Sequence, residues 1–205
     1  ELAQGSGGSV TNVKTLSPST IQKIESIAEV EVVLAPVFAP VNVKFGREVA
    51  AASMIATSAD EAKEFQDTGF VEIAEGRDLE GRDVFSVVVG HNLAKNAFEK
   101  EIRVGDKIEI EGRSFKVIGI TKESAQSFGG GPNTNNTLFG SKKGFNQLFE
   151  QTDPTFLLVK TQRREDVEIV KTKIERIFES VYGKEQKVYE VATSQQLLEQ
   201  IGQFL

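Results

Sequence analysis

The sequence predicts an α+β fold: a split βαβ (ferredoxin-like) sandwich interrupted by a second, mostly β subdomain. Three observations carry this prediction. The chain opens with the pattern β-α-β-β and closes with β-α-β, which together hold the element order of a split βαβ unit with one extra strand. Residues 71–153 change character, with short strands, a tight hairpin and a Gly/Asn-rich stretch. Finally, 205 residues, 39% of them hydrophobic, suffice for one large or two small packed units without a metal or cross-link. The expected segments are residues 1–70 and 154–205 for the two halves of the sandwich and 71–153 for the insertion.

Residues 4–9 (Gln-Gly-Ser-Gly-Gly-Ser) have a linker's composition, and Val10 to Thr15 reads as a short first strand. Ser17 can cap a helix whose first position suits Pro18, and Ile21, Ile24, Ile27 and Ala28 form its apolar stripe to about Glu29. From Val30 to Phe45 the chain is β-rich, and Val37, Ala39, Val41 and Val43 alternate. Pro36 and Pro40 push that strand toward a sheet edge or a bulge. Gly46-Arg47 turns it back into a partner strand, Val49 to Thr57. Ser58-Ala59-Asp60-Glu61 is a capping-box signature for a short helix that stops by Gly69.

The middle segment holds a strand at Val84–Val89, a short helix at His91–Phe98 and a hairpin. In the hairpin Ile108 and Ile110 answer Phe115, Val117 and Ile120 across Glu111-Gly112-Arg113. Residues 121–137 show no apolar periodicity, the signature of a mobile or functional loop. Ser141 to Phe149 suits a short helix, and Thr155 to Thr161 is an apolar strand. The clearest helix follows, with Val167, Val170, Ile174, Ile177, Phe178 and Val181 on one face and Gly183 placed to end it. Lys187–Ala192 reads as a further strand and Thr193 to the end as a helix.

Composition removes several chemistries. There is no cysteine, so thiol catalysis, disulfides and Cys-ligated zinc are excluded. No stretch approaches the roughly 20 apolar residues of a membrane-spanning helix. A net charge of −6 argues against a nucleic-acid partner. His91, the single histidine, stands where a strand hands over to a helix and reads as structural. Neither GxGxxG nor GxxxxGK[ST] is present. The carboxylates Asp60-Glu61, Asp78 with Glu80 and Asp83, and Glu165-Asp166 fall at helix starts or turns and read as solvated, as do the short basic runs Lys142-Lys143 and Arg163-Arg164. Asn135-Asn136-Thr137 matches the glycosylation sequon and marks a loop expected to be exposed.

Two apolar features are candidates for contact. Phe128, followed by Gly129, Gly130, Gly131 and Pro132, is an aromatic on a flexible loop, either a small core plug or a contact for a partner or substrate. Leu197, Leu198, Ile201, Phe204 and Leu205 make a helical stripe that grows more apolar toward the last residue and has no stop signal. With Glu1 in place of a start Met, this suggests a segment of a longer chain.

The order of elements and several local sequences resemble the extracytoplasmic (periplasmic core) domain of MacB-like ABC transporter permeases. The residues that carry the resemblance are Glu75-Gly76-Arg77, the run from Val87 through Gly90-His91-Asn92 to Lys95, and the run from Val104-Gly105-Asp106 to Ile120. The resemblance implies that the outer sandwich is the family's porter-like subdomain and the insertion its β-rich Sabre subdomain. It further implies a cell-membrane protein with this domain on the extracytoplasmic side, between the first and second membrane helices. Val10, Val13, Leu197, Leu198, Ile201 and Phe204 would then couple the domain to those helices. The partners implied are an ABC ATPase domain or subunit and a second permease copy, with an extracellular adaptor or a peptide or lipid substrate beyond them. No catalytic residue, metal or cofactor is expected in this domain, because ATP and Mg would bind the separate nucleotide-binding domain.

Three readings compete. The first is a non-enzymatic domain that relays ATP-driven conformational change, which requires both terminal elements at one pole. The second is a peptide- or lipid-binding module uncoupled from ATP hydrolysis, with an apolar cleft near residues 127–132. The third is a hydrolase, which requires convergent buried carboxylates in a pocket.

Overall fold

The computed structural model describes residues 16–67, 71–124, 133–150, 153–154, 156–183 and 189–193. Local chemistry sets the first helix, α1 (Pro18–Glu25). The Ser17 hydroxyl accepts the Thr20 N–H, and Pro18 takes the position where a missing N–H costs nothing. The helix ends at Glu25, before the expected Glu29, where the Ser26 hydroxyl donates to the Lys23 carbonyl. Ile27 is nevertheless buried from the turn that follows.

Strand β1 (Val30–Leu34) pairs antiparallel with β9 (Leu158–Thr161), so early and late parts of the chain share one small sheet. After β9 comes α5 (Val167–Tyr182), which stops at Gly183 as its sequence predicts. Leu16, Ile24 and Ile27 meet Val170, Ile174 and Phe178 in the core of this α/β lobe. Residues 189–193 carry no strand pairing, in contrast to the strand read at 187–192. The strand read at 10–15 and the helix read beyond Thr193 lie outside the described residues.

The middle of the chain builds a second unit from β2 (Val37–Phe45), β3 (Glu48–Thr57), β4 (Ile73–Gly76), β5 (Ser86–Val89), β6 (Lys107–Ile110), β7 (Arg113–Thr121) and β8 (Thr137–Ser141). With them come three short helices, α2 (Ala59–Asp67), α3 (His91–Lys95) and α4 (Lys142–Phe145). The strand order is β4-β7-β5-β8-β3-β2-β6, and β6 pairs back onto β7. That last pairing closes β7-β5-β8-β3-β2-β6 into a barrel and leaves β4 outside it. The hairpin β6–β7 turns on Glu111 (φ 47°) and Gly112 (φ 79°), two successive left-handed residues that match the twist of the flanking strands.

The barrel crosses the boundary read at 70/71. β3 pairs in parallel with β8, from Ser53↔Thr137 to Thr57↔Ser141, and the end of β2 pairs with β6 at Val43↔Ile110. The physical reason is visible in the run Met54-Ile55-Ala56-Thr57, which is buried at every position and so must be covered on both faces. Met54, Val87, Val117 and Leu138 point into the barrel and share its core with Phe115. Their neighbours Ile55, Val88, Ile118 and Phe139 point outward into a second core, which Ala62 and Phe65 of α2 and Leu34 of β1 cover. This outer core is the seam between barrel and lobe.

Pro40 lies in the part of β2 that has β3 as its ladder partner but not β6. The ladder to β6 stops after Val43, where the Glu111 carboxylate takes the Asn42 N–H at 2.6 Å. In the alternation that puts the Asn42 N–H on this edge, Pro40 faces the same way and removes the next donor. The edge predicted from the prolines is therefore present, and it is blunted against further strand addition.

Candidate functional site

Carboxylates that read as solvated are in fact engaged. Arg77 grips Asp83 with two guanidinium nitrogens, at 2.6 and 3.0 Å, and the Glu80 N–H adds a third bond to the same carboxylate at 2.9 Å. Asp83 is 7% exposed. The Arg77 guanidinium holds its carboxyl down at about 2, against an ordinary 3.8. Asp166 is buried too, and Arg163 binds it through Nε and Nη2, each at 3.0 Å. Among the described residues no group of three or more His, Asp or Glu side chains can hold a metal. His91 opens α3, and its backbone N–H donates to the Thr121 hydroxyl at 3.1 Å.

The Asp83 pair makes a testable contribution. Its folded pKa lies below the unfolded one, so its stabilisation is complete above the unfolded value and disappears as pH falls from 3.8 to about 2. Because the Arg77 side chain is 40% exposed, the contribution is discounted for screening to roughly 1–2 kcal/mol. Urea unfolding followed from pH 7 to pH 2 should show wild type losing that much more than Asp83→Asn. Parallel curves for the two proteins would contradict it.

The candidate contact residues Phe128, Gly129, Gly130, Gly131 and Pro132 lie outside the described residues, but the neck of their loop is defined. The Asn135 side chain accepts the Ser124 N–H at 2.9 Å and donates to the Ser124 carbonyl at 2.6 Å, tying the loop's two stems together. The sequon is thus committed internally. Thr137 is fully buried in β8, with its hydroxyl donating to the Asn133 carbonyl. Beside it stands Gly90, where a Cβ would collide with the carbonyl oxygens of Thr134 and Asn135, so glycine lets the loop neck dock onto the entrance of α3.

The candidate coupling residues Val10, Val13, Leu197, Leu198, Ile201 and Phe204 are likewise outside the described residues. The described residues nearest them are informative. Leu16 is buried in the core of the lobe, and Tyr189 and Val191 pack against that same core. Tyr189 lies 4.6 Å from Phe178 and 6.2 Å from Tyr182, ring centre to ring centre. Leu16 also donates its N–H to the Pro154 carbonyl at 2.9 Å. Leu16, Tyr189 and Val191 therefore all belong to the α/β lobe.

From the lobe, the barrel is reached across a joint built on Glu61, at the start of α2. Its capping box is reciprocal: Glu61 Oε2 accepts the Ser58 N–H at 2.7 Å, and the Ser58 hydroxyl accepts the Glu61 N–H at 3.2 Å. Glu61 also accepts the Ala35 N–H at 2.8 Å, from the crossover between β1 and β2, and pairs with Lys142 at 2.8 Å. Burial raises the Glu61 carboxyl, but the Lys142 ammonium and the Ser58 and Ala35 amides outweigh it and leave it below its ordinary value. The sequence pattern reveals the cap. The two other partners arrive from elements distant in sequence and leave no local signal.

A family model described as the MacB-like periplasmic core domain matches residues 2–177. An uncharacterized ABC transporter permease of Methanocaldococcus jannaschii is 30% identical over 141 residues, which is 69% of this chain and 34% of that protein. The chain thus spans about a third of the relative's length. Two solved structures share the fold. The extracellular domain of the noncanonic ABC-type transporter YknZ from Gram-positive bacteria has a TM-score of 0.66 at 15% identity, over 87% of this chain and 90% of its own. The periplasmic region of MacB from Actinobacillus actinomycetemcomitans has a TM-score of 0.67 at 16% identity, over 90% and 81%. No helix among the described residues is long and apolar enough to cross a membrane. With its lobe, closed barrel and matched residues 2–177, the chain belongs to the MacB-like periplasmic core domain family of ABC transporter permeases.

Proposed function

We propose that this chain is the non-enzymatic extracytoplasmic domain of a MacB-type permease, relaying ATP-driven conformational change to substrate export or to an extracellular partner. The observation that carries the reading is the convergence of Leu16 with Tyr189 and Val191 on one lobe core, so that a displacement entering from either direction of the chain acts on the same body. α1 and α5 receive it, and the outer core around Ile55, Phe65 and Phe139 passes it to the barrel. In the intact transporter the ATP and Mg belong to a cytoplasmic ATPase, and a second permease copy faces this one.

The test uses the full-length permease assembled with its ATPase in lipid. Arg47 is exposed at the tip of the β2–β3 hairpin, and the segment has no cysteine to interfere with labelling there. Spin labels at Arg47→Cys in two copies should change their separation when a non-hydrolysable ATP analogue binds. A separation indifferent to nucleotide, combined with saturable binding of a peptide or lipid near residues 125–132, would instead establish the binding-module reading.

A further inference from the structure

The chain passes from Leu34 of β1 in the lobe to Val37 of β2 in the barrel through Ala35-Pro36, a crossover that belongs to neither sheet. Pro36 has no N–H to give, so the donor between the two strands is the Ala35 amide, and Glu61 accepts it. The other partners of Glu61 come from the barrel. Thr57 and Ser141 are paired at the ends of the parallel neighbours β3 and β8, and the next residue of each strand, Ser58 and Lys142, donates to the Glu61 carboxylate. One side chain, 11% exposed, therefore joins two barrel strands and the lobe's exit.

We propose that Glu61 is a latch that fixes the angle between the α/β lobe and the barrel, so that the domain turns as one body. The apolar seam cannot set that angle alone. Hydrophobic contact between Leu34, Phe65 and Phe139 resists separation, but it is non-directional and tolerates sliding. Hydrogen bonds to an ionised, mostly buried carboxylate are directional and about twice as strong as neutral ones. Glutamine is a poor substitute, because its amide nitrogen donates and would confront either a backbone N–H or the Lys142 ammonium. The inference does not depend on the relay: a domain that only bound a ligand would have the same latch.

The test compares the 205-residue chain with Glu61→Gln and Lys142→Met. Hydrogen exchange should accelerate about tenfold or more at the Ala35 and Ser58 amides in Glu61→Gln, the loss of a charge-assisted bond. Protection at Ile120 in the barrel and Ile174 in the lobe should stay as in wild type. Spin labels at Arg47→Cys and Ser180→Cys should give one narrow distance distribution in the parent chain and a broader one in both variants. Exchange and distance width both unchanged would overturn the latch. So would exchange rising equally at Ile120 and Ile174, because Glu61 would then be supporting stability as a whole.

Discussion

Replacing Phe115 with alanine should lower the stability of the domain by about 3–5 kcal/mol. The residue is 1% exposed and sits on β7, the strand that pairs with β4, β5 and β6. Its cross-strand partner is Ile108, and Phe85 meets its ring edge-on at 5.6 Å. A cavity left there cannot collapse easily, because the wall around it is a ring of paired strands whose spacing is set by backbone hydrogen bonds. Urea unfolding monitored by circular dichroism checks the value. A loss below about 1 kcal/mol would mean that the barrel interior is not the packed core described here.

The second large effect belongs to the lobe. Ile24→Ala should cost about 2–5 kcal/mol, because Ile24 is fully buried where α1 meets α5. Its location gives this change a different signature from the Phe115 truncation. Amides of α1 and α5 should exchange faster by a larger factor than those of β5 and β7, since the barrel has its own core. Uniform acceleration across both units would show that lobe and barrel open only together. Under the relay proposed above, the same variant should weaken movement of the barrel on nucleotide binding in the full-length permease, because the softened body is the one whose core holds Leu16, Tyr189 and Val191.

Elements governed by neighbours in sequence were legible. The Ser17-Pro18 start, the Ser58–Glu61 box, the Glu111-Gly112 turn and the stop at Gly183 each depend on residues within one turn of each other, and each stands where the sequence places it. Closure of the barrel was not legible. It depends on which strand accepts the edges of β3 and β7, and apolar runs such as Val87-Val88-Val89 show that a strand is covered without naming its partners. Membership of the hairpin β2–β3 in the barrel is set by the same kind of long-range pairing, of β3 with β8.

The engagement of the charged groups is hidden from the sequence for a related cause. Asp83 lies within reach of Arg77 in sequence, but its burial comes from the fold, and without burial an acidic turn reads as solvated. Glu61 and Lys142 are still further apart, and nothing local to either indicates the other. The family resemblance carried what periodicity could not, because the ordered runs around Gly90 and Gly105 specify a fold that short-range rules leave open.

The central claim is that movement enters at the α/β lobe and reaches the barrel without being absorbed at the joint. The most direct measurement places labels at Arg176 on α5 and at Arg47 on the barrel hairpin of the full-length permease, and reads distances between copies and within one copy, with and without a non-hydrolysable ATP analogue. The account predicts that both inter-copy distances change in the same nucleotide step while the distance within one copy stays constant. A lobe that moves while the barrel stays in place would contradict it.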